Sequence, residues 1–213
     1  KRNIDKTIRI LKREVRRWEE PIVGHYRHDP FSTLISCLLS LRTKDATTRG
    51  AAKRLFLLAR TPLQMVRLST RTIERAIYPV GFYRTKAKTV RAVCRDLLSR
   101  YRGRVPGDLD ELLTIKGVGR KTANLVVTLA FRKPGICVDT HVHRISNRWG
   151  YVKTKTPEQT EMALRRLLPR QYWQTYNDLL VSFGQNLCLP TSPWCSRCPL
   201  ARVCAKVGVT HSR

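Results

Sequence analysis

Apolar residues recur along this chain at three- and four-residue spacing almost without interruption, and that period predicts helices. Ile4, Ile8, Leu11, Val15 and Trp18 mark one face of an amphipathic helix that should stop at Pro21. Residues 31–41 follow Pro30 and are apolar nearly all round, the pattern of a core helix. A third helix is expected over 45–58, ended by Thr61-Pro62, with shorter ones over 63–68 and 72–77. The turn Tyr78-Pro79-Val80-Gly81 then leads into a long helix from 83 to about 98, and Arg102-Gly103-Arg104-Val105-Pro106-Gly107 breaks it. Residues 123–130 read as a buried helix, after which Lys133-Pro134-Gly135 turns the chain. Asp139 opens a helix of about ten residues ending near Gly150, Thr156-Pro157-Glu158 starts another with proline in its first turn, and a last one spans roughly 172–186. No alternating run is long enough for a strand, and no period of 20–50 residues signals a repeat. The expected fold class is all-α.

One break differs in character from the others. Ile115-Lys116-Gly117-Val118-Gly119-Arg120-Lys121-Thr122 is a glycine hairpin opening directly into the apolar helix. Gly117 and Gly119 leave backbone N–H groups unshielded, and a helix start adds free donors and a positive dipole end. Together they form a seat for an anion, most simply a nucleic-acid phosphate. Lys121 falls in the first turn, where the dipole and Arg120 disfavour the ammonium, so it is a candidate nucleophile. Val138-Asp139-Thr140-His141 puts a carboxylate at the next helix start. The plainer alternatives are a solvated lysine and an aspartate that only caps its helix. A P-loop fails on spacing, because Arg120 separates Gly119 from Lys121.

Charge narrows the partner. Forty-two Lys and Arg against 15 Asp and Glu give a net charge of +27, in a chain that is 42% hydrophobic. Such a chain folds yet repels itself unless a polyanion is its normal partner. The charge runs the whole length, and Arg outnumbers Lys about two to one, favouring bidentate phosphate contacts. A ligand-free basic surface and an anionic membrane surface are the alternatives. No stretch approaches the ~18 apolar residues of a membrane span. Lys1-Arg2-Asn3-Ile4 does not lead into a secretory segment. The chain opens without Met, as a trimmed form would, and a cytoplasmic location is expected, or the nucleus or mitochondrion of a eukaryote.

The tail carries a second strong pattern. Cys188, Cys195, Cys198 and Cys204 are separated by six, two and five intervening residues. Four thiolates so close bind a metal centre in a reducing compartment. Cys37, Cys94 and Cys137 stand singly among apolar residues and read as small core side chains rather than disulfide partners. Zinc is the rival to an iron–sulfur cubane, but zinc sites usually show two Cys-x-x-Cys knuckles and this loop has one.

These motifs, with Leu38-Leu39-Ser40, Thr43-Lys44-Asp45, Val80-Gly81-Phe82-Tyr83 and Lys86-Ala87, resemble the endonuclease III family. That family comprises helix-hairpin-helix DNA glycosylases with a Gly/Pro-rich loop and a catalytic aspartate, and the likeness extends over essentially the whole chain. It implies two helical lobes with DNA in the cleft between them: a six-helix barrel over 22–133, and a lobe of 1–21 with 134–213. The second lobe would hold a [4Fe–4S] cluster on the four cysteines of loop 188–204. It further implies a monomer that acts on double-stranded DNA containing damaged bases or abasic sites, removes oxidised pyrimidines and nicks the strand by β-elimination. Lys121 would be the Schiff-base nucleophile and Asp139 the carboxylate that steadies developing charge. Lys116, Gly117, Val118, Gly119 and Arg120 would contact the backbone, with Arg197, Arg202 and Lys206 of the cluster loop.

Two positions depart from the family's pattern. Arg42 stands where glutamine is common, the residue expected to fill the gap left by a flipped base. Phe82 replaces the usual aliphatic wedge and can stack on bases, or it can be a core aromatic beside Tyr83. The segment Leu189-Pro190-Thr191-Ser192-Pro193-Trp194 lacks the basic residues often found there. His141 and His143 are assigned structural or phosphate-contact roles. A glycosylase without lyase activity, a non-catalytic DNA-binding module and an electron-transfer protein are the competing readings, and the first of these would typically lack a lysine at position 121.

Overall fold

The structure is a computed structural model that describes residues 3–18, 26 and 29–213. Among these the regular elements are helices: α1 (Ile4–Val15), α2 (Pro30–Ser40), α3 (Asp45–Leu58), α4 (Pro62–Arg67), α5 (Thr70–Ile77), α6 (Tyr83–Tyr101), α7 (Leu109–Leu113), α8 (Arg120–Leu125), α9 (Thr140–Arg148), α10 (Pro157–Leu167) and α11 (Trp173–Asn186). The chain divides into two compact units, Ile22–Gly135 and Lys1–Pro21 together with Ile136–Arg213. No described helix is long and apolar enough to cross a membrane.

The Ile22–Gly135 unit is built round α2. Asp29 caps it by accepting from the amides of Phe31 and Ser32, and Pro30 fills its first turn. Nine of its 11 residues are buried, as a central helix requires. α3, α6 and α8 pack against it, while α4 and α5 lie on α6. Thr61, Ser69 and Asp108 cap α4, α5 and α7 with side-chain oxygens. α6 runs three residues past the expected end, to Tyr101, because Arg100 and Tyr101 find Thr114 across the fold (2.7 and 3.4 Å). Arg102 then stops it in a left-handed turn at φ 53°.

The apolar stretch after the hairpin is buried as expected but is not one α-helix. It is α only to Leu125, and Val126–Ala130 winds as a π-helix. Thr128 Oγ1 donates back to the carbonyls of Asn124 and Leu125 (2.8 and 3.2 Å), in the middle of a β-branched run. A hydroxyl competing for the ladder is a recognised cause of such bulges. α7 went unpredicted, since five residues are too few to show a helical period.

In the other unit α1 and α9 pack on α11, and α10 packs on α9. Ile8 and Leu11 of α1 are fully buried. α1 ends at Val15, after which Trp18 donates its amide to the Val15 carbonyl in a tight turn. The expected stop at Pro21 lies outside the described residues. Tyr176 sits at the centre with its hydroxyl 3.1 Å from Ser146 Oγ, and burial drives its phenol well above the ordinary value. Cys37, Cys94 and Cys137 are core residues, and burial pushes the Cys94 thiol up to about 12.

Candidate functional site

The glycine hairpin joins α7 to α8. Ile115 and Val118 point inward, at 1% and 5% exposure, and pin the turn to the core. The Val118 amide donates to the Ile115 carbonyl at 3.0 Å. The Val118 side chain is thus in the core and its N–H takes part in the turn. Lys116, Gly117 and Gly119 are exposed, while Arg120 and Lys121, the first two residues of α8, are half-buried.

The two glycines are there for different reasons. Gly117 has φ +97°, and a Cβ on it would sit 2.6 Å from Thr89 Cγ2, so α6 and the backbone both demand glycine. Gly119 has φ −87°, which any residue adopts, and a Cβ there would meet nothing within 4 Å. No packing contact among the described residues requires position 119 to be bare. Its nakedness leaves the start of α8 open to close approach from outside.

Asp139 is the N-cap of α9. One carboxylate oxygen accepts from the amides of His141 and Val142, both at 2.9 Å, and the residue is only 8% exposed. The capping alternative is therefore correct as structure, and it fixes where the carboxylate points. His143 ties α9 to α10 through Thr160 Oγ1 at 2.6 Å, and His141 meets Arg144, so both histidines have structural partners.

Cys188, Cys195, Cys198 and Cys204 line one small pocket, with Arg148, Trp149 and Trp194 among its other walls. Among the described residues no three His, Cys, Asp or Glu side chains converge on a point that would hold a single ion. Burial raises the Cys188 thiol, against the opposing Arg148 guanidinium, and pushes Cys198 up to about 11. Arg148 is 6% exposed and donates to Cys188 Sγ (3.3 Å) and to the carbonyls of Leu189 and Pro190 (2.7 and 3.0 Å). It fastens α9 to the first stretch of the cysteine loop, a role the sequence reading missed. Arg197 and Lys206 are exposed, and Arg197 and Arg213 both lie over the Trp194 ring (5.5 and 4.8 Å). The segment that lacks basic residues of its own thus carries two guanidiniums on its tryptophan.

Arg42 and Phe82 adjoin each other. Both are exposed, Phe82 at 64%, and the Arg42 guanidinium lies 5.9 Å from the Phe82 ring centroid. The core-aromatic alternative for Phe82 is excluded; Tyr83 takes that place, packed on the core and edge-to-face with Tyr78. Both backbones are left-handed, with φ 51° at Arg42 and 59° at Phe82. Such conformations cost about 1–3 kcal/mol each and persist only where the surroundings impose them.

The chain matches known proteins over most of its length. The family model described as HhH-GPD superfamily base excision DNA repair protein matches residues 35–170. Endonuclease III of Thermotoga maritima is 48% identical over 181 residues, covering 85% of either chain. A solved non-covalent endonuclease III–DNA complex superposes with a TM-score of 0.86 at 35% identity, covering 95% of this chain and 94% of that one. A trapped endonuclease III–DNA covalent intermediate, an estranged-adenine complex, gives 0.79 at 38% identity and 84% of both.

Proposed function

Because the chain belongs to the HhH-GPD superfamily of base excision DNA repair proteins, in its endonuclease III branch, we propose that it is a bifunctional DNA glycosylase and abasic-site lyase in which Lys121 is the nucleophile. Gly119 carries the reading. An open position at the N-cap of a helix, two residues before a half-buried lysine and with no packing contact filling it, is what close approach of a DNA phosphate needs. The relative trapped as a covalent DNA intermediate supports a nucleophilic mechanism.

The chemistry runs on two side chains. A base flipped from the stack exposes its glycosidic bond. The neutral Lys121 amine attacks C1′, the bond to the base breaks, and the base leaves with the electron pair and takes up a proton. Loss of the amine proton and opening of the sugar give an imine. That imine acidifies C2′, so a proton leaves there and the C3′–O bond breaks, releasing the phosphate and nicking the strand. Asp139, oriented by its cap, steadies the positive charge that develops on the sugar and assists the proton transfers. The substrate class is oxidised pyrimidines and abasic sites in duplex DNA. Arg42 fills the gap, Phe82 wedges the stack, and Lys116, Arg120, Arg197 and Lys206 take phosphates.

Cys188, Cys195, Cys198 and Cys204 would hold a [4Fe–4S] cluster. Four thiols lining one pocket, with a single Cys-x-x-Cys knuckle among them, suit a polynuclear iron–sulfur group better than zinc, whose sites usually show two such knuckles. Fully ligated by cysteine, it would supply structure, holding Arg197 and Lys206 in place. The protein acts as a monomer wherever the DNA is, in the cytoplasm of a prokaryote or in the nucleus or mitochondrion of a eukaryote.

Wild-type protein incubated with borohydride and a duplex carrying an oxidised pyrimidine or an abasic site should become covalently linked to it. Tight binding with neither linkage nor nicking would make it a non-catalytic DNA-binding module. A second prediction separates the glycines. Gly117→Ala should lower the melting temperature, with a loss of about 1–3 kcal/mol from strain and the Thr89 clash. Gly119→Ala should change stability by less than about 1 kcal/mol yet weaken DNA binding. Equal DNA affinity in Gly119→Ala and wild type would remove the phosphate from that position.

A further inference from the structure

Lys86 belongs to none of the functions above, yet it occupies an unusual place. It lies on the apolar side of α6 beside Ala87 and Val90, and only 8% of it is exposed. Its ammonium donates to the carbonyls of Leu39 (2.8 Å) and Leu41 (2.5 Å) and to Thr43 Oγ1 (3.0 Å), which uses all three of its hydrogens. Leu39 and Leu41 belong to the end of α2, where carbonyls lack helical partners and a cation is favoured. Burial lowers the ammonium to about 8, so the charge is present at neutral pH.

Thr43 extends this tie to a second loop. Its hydroxyl donates to the Leu41 carbonyl and accepts from the Gly81 amide at 3.1 Å. Gly81 is pressed so close that a Cβ would meet the Arg42 carbonyl at 2.8 Å. Two loops far apart in sequence, 41–43 and 79–82, are thus stitched together by one lysine, one hydroxyl and one glycine. The two residues bracketed by these bonds are Arg42 and Phe82, the left-handed, exposed pair. An internal constraint this specific is what holding both strained backbones requires.

We propose that Lys86 is a positioning residue for DNA entry, which with Thr43 clamps the two loops so that Arg42 and Phe82 enter the duplex as one preorganised pair. The proposal rests on the insertion roles given to that pair. A preorganised pair avoids ordering two flexible loops at the moment the base is expelled. Lys86 touches neither DNA nor the reacting atoms; it acts through the loops.

The test compares Lys86→Met, Thr43→Ala and the double variant Arg42→Ala/Phe82→Ala. The readouts are fluorescence of a 2-aminopurine beside an abasic-site analogue, affinity for that duplex, affinity for undamaged duplex, and melting temperature. Lys86→Met and Thr43→Ala should lose base extrusion and weaken lesion affinity by about tenfold or more, the worth of one base–aromatic stack. Affinity for undamaged duplex, set by phosphate contacts elsewhere, should stay within about twofold. Added to Arg42→Ala/Phe82→Ala, Lys86→Met should have no further effect on extrusion, because the pair it positions is gone. Should Lys86→Met fail to fold, Thr43→Ala decides, since it keeps both carbonyl bonds of Lys86 and removes only the hydroxyl that links Lys86 and the Leu41 carbonyl to Gly81. Wild-type extrusion in the single variants, with extrusion lost in the Arg42/Phe82 variant, would overturn the clamp alone. Wild-type extrusion in the Arg42/Phe82 variant would overturn the insertion roles, and the clamp with them.

Discussion

Lys121→Gln is expected to abolish covalent trapping and strand nicking while leaving DNA binding largely intact. The amide of glutamine cannot form an imine, so the covalent route closes, and losses on the order of 10⁴-fold or more accompany removal of a covalent nucleophile. Affinity should survive because the exposed Gly117 and Gly119 and the cations Lys116 and Arg120 are untouched. Asp139→Asn makes the informative contrast. Asparagine is a good N-cap, so the amides of His141 and Val142 keep an acceptor and α9 keeps its start. What goes is the negative charge, and the rate should fall by on the order of 10²–10³-fold with little change in affinity, since that charge acts on the transition state. Single-turnover rates with binding isotherms measure both variants. Trapping of Lys121→Gln at the wild-type rate would place the nucleophile elsewhere.

Cys198→Ala is expected to strip the metal centre and loosen residues 188–213. The purified wild type should be brown and carry about four irons per chain, as a cubane on four thiolates does. The described tail contains turns and no helix after α11, and it is tied to α9 by Arg148, from Cys188 to Pro190 and through the Arg148 carbonyl to Val207, and by Arg144, which donates to the Cys188 carbonyl. A segment with so little secondary structure depends on its cross-link, because metal binding at a structural site is itself folding free energy. Iron analysis, visible absorption and hydrogen exchange over 188–213 report the loss together. Colourless wild-type protein with one zinc per chain would replace the cubane with a mononuclear site.

Much of this protein is legible along the chain because its chemistry is carried by local patterns. Helical period, caps and prolines place α2, α3, α4, α5, α9, α10 and α11 within a few residues, since apolar spacing and Asp, Ser, Thr or Pro at helix starts act over a single turn. The glycine hairpin and the four-cysteine loop are equally local, each lying within 17 residues or fewer. The signal for Lys86 was also present, a lysine on the apolar side of a helix, but its meaning was not.

What sequence spacing could not decide is which way side chains face and what distant loops do to each other. Val118 sits among polar, solvent-facing neighbours, and only its contact with the core turns it inward. Gly117 and Gly119 look alike as letters; packing against Thr89 distinguishes the one the fold requires from the one it does not. The π-turn at Val126–Ala130 and the extension of α6 to Tyr101 answer to a hydroxyl and to Thr114, not to a period. Arg42 and Phe82 are 40 positions apart, and their meeting depends on hydrogen bonds from Lys86 and Gly81 across 38 to 47 residues. A local pattern records the preferences of a single turn of chain. Left-handed backbones held in place from outside are recorded only where the chain has folded back on itself.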